Sequence, residues 1–238
     1  MKMSLRSLII AGLVSLTAVC MQAAEVLSEA VVLKLSGPAE AVFPGKTAPV
    51  AIKVGDKLPQ GTAITTSATS EVDLQVFPGT ISTIKPNTKV EIEKLSLTSS
   101  EGVVTKQSSV INLKAGIVVS DLDPTKKSIN DYSIRTPKGV AAARGTIYVV
   151  YVLADGSSIT YVARGSVTFI NPVTGQSVTI TAGTAVKVDA SGNIGTPSTS
   201  LGRTLSNEVR NGNHIEDTET TNTGEGVDPT IIVSPSKP

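Results

Sequence analysis

Tryptophan is missing from this 238-residue chain, and the other aromatics are scarce: three phenylalanines and four tyrosines. Surfaces that bind nucleic acid need stacking rings or a basic stripe. Neither is present, since 16 Lys and Arg stand scattered against 14 Asp and Glu between residues 25 and 195. Nucleic acid is therefore excluded as a partner. Cysteine and histidine occur once each, as Cys20 and His214. With Cys20 in an export leader and His214 in a polar tail, the part between them lacks a disulfide framework. It also lacks Cys/His or Ser/His nucleophilic pairs and His-ligated metals. The expectation is a non-enzymatic chain with no catalytic residues, no cofactor and no metal site.

The leader is read from order as much as from composition. Lys2 and Arg6 precede an apolar run over residues 8–14, extended through 15–19, and the small residues Ala23 and Ala24 follow. Basic, apolar and small residues in that order make a secretory signal peptide, and the run is short for a membrane span. A signal peptide is expected over residues 1–24, with no transmembrane span in the cleaved chain. The expected location is outside the cytoplasm, periplasmic or extracellular. Cys20 raises a lipoprotein alternative, against which Val19 is the wrong neighbour for a small-residue lipobox.

What is abundant is β signal. Val72, Leu74 and Val76 alternate with Asp73 and Gln75, and Val90 and Ile92 alternate with Glu91 and Glu93. Similar short runs recur at 62–66, 81–84, 103–104, 110–113, 117–119, 158–162, 167–170, 178–180 and 185–188. Gly, Pro and Asn separate them, Gly102 and Gly116 included, and this spacing predicts an all-β domain. Residues 25–35 read as one opening strand. Residues 37–50, with Pro38, Pro44 and Pro49, read as a loop or an edge. There is no strict repeat, so short strands ending at Gly favour an irregular β-solenoid or roll, with a β-sandwich as the alternative. Past Thr196 the composition turns polar, with three Lys and Arg against six Asp and Glu. That places the all-β domain at 25–195 and a disordered polar tail at 196–238.

The chain is organised around residues 132–152. Residues 133–136 have the period of a half-buried strand, and 147–152 are β-branched and aromatic enough for a strand covered on both faces. Between them lie Thr136 and Pro137, Gly139, the small residues Ala141, Ala142 and Ala143, then Arg144, Gly145 and Thr146. Pro137 lacks a donor and holds Thr136 extended, while the glycines allow turns or close approach. In this small-residue setting the Arg144 guanidinium is expected to satisfy carbonyls or a carboxylate such as Asp131; direct contact with a partner is the alternative. If Arg144 is buried and paired, Arg144→Ala should cost about 3–5 kcal/mol.

Three other features resemble sites and are read as ordinary structure. Gly45-Lys46-Thr47 imitates the end of a phosphate-binding loop, but Glu40 stands where its first glycine belongs, so it reads as a turn. Asp121 and Asp123 could begin a calcium loop, but the later acidic ligands are missing and a turn is expected. Glu91 and Glu93 share one strand face, expected to be solvated.

The run from Gly55 to Val152 resembles the FecR domain of bacterial envelope regulators. The resemblance lies in Gly55-Asp56, Pro59-Gln60-Gly61-Thr62 and Ile84-Lys85-Pro86-Asn87, then in Leu113-Lys114-Ala115-Gly116. It ends in Ile134-Arg135-Thr136-Pro137, Gly139-Val140-Ala141 and Ala143-Arg144-Gly145-Thr146. Ala143 stands where the family usually has Val. In the best-understood members this domain is the periplasmic part of a regulator that senses an occupied outer-membrane receptor; for this chain the resemblance implies a shared fold and a shared docking surface. No cytoplasmic segment is expected here, so the control of a sigma factor would have nothing to act through. The function expected is a protein interaction module docking an envelope protein in signalling or assembly. A structural protein binding glycan or peptidoglycan is the alternative.

Overall fold

The structure, a computed structural model, describes residues 24–203 and the backbone of two short paired strands, His214–Glu216 and Ile232–Ser234. The signal-peptide expectation lies outside the described residues, as does the tail beyond Arg203 except for those two strands. Among the described residues no helix is long and apolar enough to cross a membrane.

Two open sheets share one strand. The first has the order β4 (Val50–Ala51), β3 (Ala39–Val42), β6 (Ala63–Thr66), β9 (Lys89–Ser100), β10 (Val103–Leu122), β11 (Asn130–Thr136), β12 (Gly139–Ala143), β15 (Ser166–Ile170) and β16 (Ser177–Thr181). Strand β1 (Ala24–Leu27) lies on the far end of β9. The second has the order β5 (Lys57–Pro59), β2 (Glu29–Ser36), β7 (Glu71–Phe77), β8 (Thr80–Ile84), the end of β10, β13 (Ile147–Val152), β14 (Ser158–Arg164) and β17 (Ala185–Val188). All these ladders are antiparallel except β10 with β11. The chain crosses repeatedly from one sheet to the other, so the all-β fold is roll-like.

Alternation explains the core. Val72, Leu74 and Val76 of β7 face inward with Ile111 and Leu113 of β10 and Ile134 of β11, and all are buried. Each such side chain contributes about 1.5–3 kcal/mol through removal from water. Strand β13 is covered on both faces, as its composition predicts. Tyr148, Val150 and Val152 join the main core, whereas Val149 and Tyr151 join a second cluster with Ile117, Ile159, Tyr161 and Ala185.

Strand β10 corrects the expected turn at Gly116. Val103–Leu122 is one continuous strand whose first part pairs with β9 and β11 and whose last part pairs with β8 and β13. Gly116, at φ 92°, is where it passes between sheets. A Cβ there would lie 2.6 Å from Thr88 Cα, and Thr88 Oγ1 accepts the next amide, Ile117 N, at 2.9 Å. The glycine bends the strand without ending it.

Three further boundaries differ. The opening strand is divided at Ser28 into β1 and β2, which lie in different sheets. The proline-rich stretch contains β3, because Pro38 and Pro44 flank Ala39–Val42 and leave Ala39 and Ala41 free to be buried. The packed domain also runs past the expected boundary at Gly195. Ile194 bridges to Val188, Ser198 bridges to Ala185, and Leu201 packs against the second cluster.

Candidate functional site

The six singled-out residues divide between the two ends of β12, about 17 Å apart at the rise of a strand. Thr136, Pro137 and Gly139 form the β11–β12 turn. The Thr136 hydroxyl accepts Lys138 N at 3.3 Å and Gly139 N at 3.1 Å, so the turn is held by its own side chain. A Cβ on Gly139 would lie 2.5 Å from Ile170 O and from the Phe169 ring, so only glycine lets β15 approach this closely.

This turn forms one wall of a cleft of about 530 Å³. The loop at Asn171–Thr174 and Gly192 also line it. Asn171 ties these loops together: its Oδ1 accepts Val173 N at 2.9 Å, and its Nδ2 donates to Gly192 O at 2.8 Å. Arg135 and Lys138 line the cleft, and no acidic residue among the described residues does. Arg135 Nε also donates to Glu93 Oε2 at 2.8 Å. Val173 stands at the rim, 92% exposed.

Arg144, Gly145 and Thr146 occupy the other end of β12. Gly145 has φ 65°, and a Cβ there would lie 2.8 Å from Pro124 Cα. The buried Thr146 hydroxyl donates to Ser166 O at 3.0 Å, and Thr146 O accepts Leu122 N at 3.0 Å. Arg144 does face Asp131, with Nη2 3.7 Å from Oδ1, and Lys106 takes the other oxygen at 3.0 Å. Its side chain, however, is 63% exposed. The expected loss of 3–5 kcal/mol required a buried pair and is withdrawn; exposed pairs contribute about 0–1 kcal/mol. Strand parity carries this signal. Ala141 and Ala143 face the core, so Ala142 and Arg144 face out.

Sequence reasoning missed the polar interior beneath that end. Tyr132 on β11, cross-strand from Ala143, is buried with its hydroxyl 2.7 Å from Ser82 Oγ and 2.9 Å from Ser120 Oγ. One layer further, Asn130 Nδ2 donates to Thr80 Oγ1 at 2.7 Å. Burial pushes the Tyr132 phenol up to about 12, against the pull of the two serines. Tyr148 packs edge-on against Tyr132 with ring centroids 6.3 Å apart, and its buried hydroxyl has no hydrogen-bond partner among the described residues. Burial raises its pKa as well, the neighbouring Tyr132 adding to the effect and Ser120, near the hydroxyl but not in hydrogen-bond geometry with it, opposing it. Inward placement of Ser82, Ser120, Asn130 and Tyr132 is visible in the alternation once their strands are aligned.

The other motifs are structural in form. Gly45 has φ 70° in a turn closed by Lys46 N to Phe43 O at 3.0 Å. Asp123 caps the 3-10 turn Pro124–Lys126, accepting Thr125 N and Thr125 Oγ1 at 2.8 Å each, and these bonds lower its carboxyl pKa. Glu91 pairs with Lys114 at 2.6 Å, beside the Glu93–Arg135 pair, on the solvated face of the first sheet. No group of three His, Cys, Asp or Glu side chains able to hold a metal occurs among the described residues.

Residues 62–168 match the family model described as FecR protein, a span that holds all six motif residues and both ends of β12. This segment is similar to a FecR domain. Two crystal structures from Parabacteroides distasonis, each named as a candidate anti-sigma factor, are similar to the chain. One aligns at TM-score 0.45 and 13% identity over 57% of this chain and 58% of that one. The other aligns at TM-score 0.48 and 12% identity over 62% and 63%. The chain thus spans about three fifths of the length of each. No curated protein matches it.

Proposed function

We propose that this chain is a non-enzymatic, exported interaction module whose FecR domain docks a protein of the bacterial envelope in a signalling or assembly role. The observation that carries the reading is the cleft built on the FecR domain's own Thr136–Gly139 turn. It joins Lys138 and the Glu93-paired Arg135 to an exposed apolar residue, Val173, with no acid among the described residues of its lining. Such a surface suits a protein segment with an acidic and an apolar side chain, since apolar contact supplies affinity and complementary charge supplies specificity.

The test is crosslinked recovery of the tagged chain from its own envelope fraction, beside Lys138→Glu and Val173→Asp variants of equal stability. Recovery of one envelope protein, reduced at least about tenfold by either variant, supports docking at the cleft. Recovery that neither variant weakens overturns it. Recovery of cell-wall fragments alone replaces it with the glycan or peptidoglycan reading.

A further inference from the structure

Among the described residues the two sheets leave several edges, and all but one are guarded. Strand β4 has two residues, and β5 contains Lys57 and Pro59. Strand β1 carries Glu25, which accepts from Ser96 and pairs with Lys94. The unpaired part of β2 has a register irregularity beside Lys34. The edge of β17 is covered by the returning chain at Ile194 and Ser198. Short length, Lys, Pro, irregularity and a covering segment are how edge strands avoid further pairing. Strand β16 has none of these. Ser177-Val178-Thr179-Ile180-Thr181 is uncharged, contains no proline and pairs with β15 in unbroken register.

The ladder also fixes which backbone groups are free. Asn171 N donates to Gln176 O at 2.9 Å, and Ala182 N donates to Gly165 O at 3.1 Å. Antiparallel bonding alternates, so Val178 and Ile180 bond β15 while Ser177, Thr179 and Thr181 turn their amides and carbonyls outward. Of these, only Thr181 O is occupied by a described residue, Thr184, whose N lies at 3.1 Å and Oγ1 at 2.8 Å.

We propose that β16 pairs with β16 of a second copy of this chain, antiparallel about a two-fold axis at Thr179. The strand is self-complementary in that register. Thr179 faces itself, Ser177 faces Thr181, and Val178 faces Ile180, so hydroxyl residues meet on the outer face and aliphatic residues on the inner one. Thr–Thr, Thr–Ser and aliphatic cross-strand pairs are favourable, and no charge lies opposite a like charge. The symmetry makes the contact isologous, so it closes at a dimer and not a fibre. This inference is independent of the cleft, which lies at the β11–β12 turn and the loop preceding β16.

Sedimentation velocity of the chain purified after export tests it, with Thr179→Pro and Thr179→Lys in parallel. Thr179 N–H faces away from β15, so proline removes an outward donor and leaves the β15 ladder intact. The expected result is a concentration-dependent dimer whose dissociation constant rises at least about tenfold in both variants, with thermal midpoints near wild type. In Thr179→Cys the two thiols would face each other across the axis, with Cα atoms at about 5.5 Å, and oxidation should trap a disulfide dimer. A wild-type chain that stays monomeric, or a dimer that survives both variants and is not trapped by the cysteine, overturns the proposal.

Discussion

The two ends of β12 carry the same kinds of residue and use them differently. At one end stand Thr136, Lys138 and Gly139; at the other, Arg144, Gly145 and Thr146. The Thr136 hydroxyl closes its own turn and leaves an open cleft beside it. The Thr146 hydroxyl reaches Ser166 on the next strand and helps seal the roll over a polar interior. Lys138 lines that cleft, whereas Arg144, in its exposed pair with Asp131, borders another of about 340 Å³ over the outer face. One contiguous motif thus splits into an end suited to contact and an end suited to closure.

Substitutions can break that contrast, beginning with the largest effect. Gly139→Ala drives a Cβ into Ile170 O and Phe169 and should destabilise the domain by about 3 kcal/mol in urea unfolding. A cost near zero would mean the cleft wall is pliable. The sealed end should fail in alkali. Tyr132 is raised to about 12 when folded, so the unfolded chain ionises first, near pH 10, and binds fewer protons than the native state. Stability is then fully present below pH 10 and falls by about 2–3 kcal/mol as pH approaches 12. Urea midpoints at pH 8, 10 and 11.5 would check the sign, and Tyr132→Phe should remove its own share of the loss while leaving that of Tyr148, which burial raises as well.

Smaller effects sharpen the comparison. Gly145→Ala must hold a positive φ against Pro124 and should cost about 2 kcal/mol by thermal or urea melts. Tyr132→Phe loses bonds to two serines and should cost about 1–2 kcal/mol, whereas Tyr148→Phe removes an unpartnered buried hydroxyl and should be neutral or stabilising. Equal losses would mean the two hydroxyls share one network. Arg144→Ala should change stability by no more than about 1 kcal/mol, with any loss reduced by salt.

Much of the fold was legible because alternation is local. The two-faced burial of β13 could be read from Ile147, Tyr148, Val149, Val150, Tyr151 and Val152, with no polar residue among them. Gly116 misled because a glycine that ends a strand and one that bends it look alike in sequence; Thr88, distant in the chain, decides between them. The pairing of Arg144 with Asp131 was legible but its exposure was not, since three alanines suggest a tight interior while their parity puts the arginine outside. The cleft was not legible at all beyond its turn, because Asn171, Val173 and Gly192 reach it only through strand pairing.

Site-specific photo-crosslinking in the native envelope tests the central claim most directly, with the reactive residue at position 138, 173 or 144 in turn. The account predicts one and the same protein adduct from 138 and 173 and none from 144. Adducts of equal yield at 144, or no protein adduct from either cleft position, would contradict it.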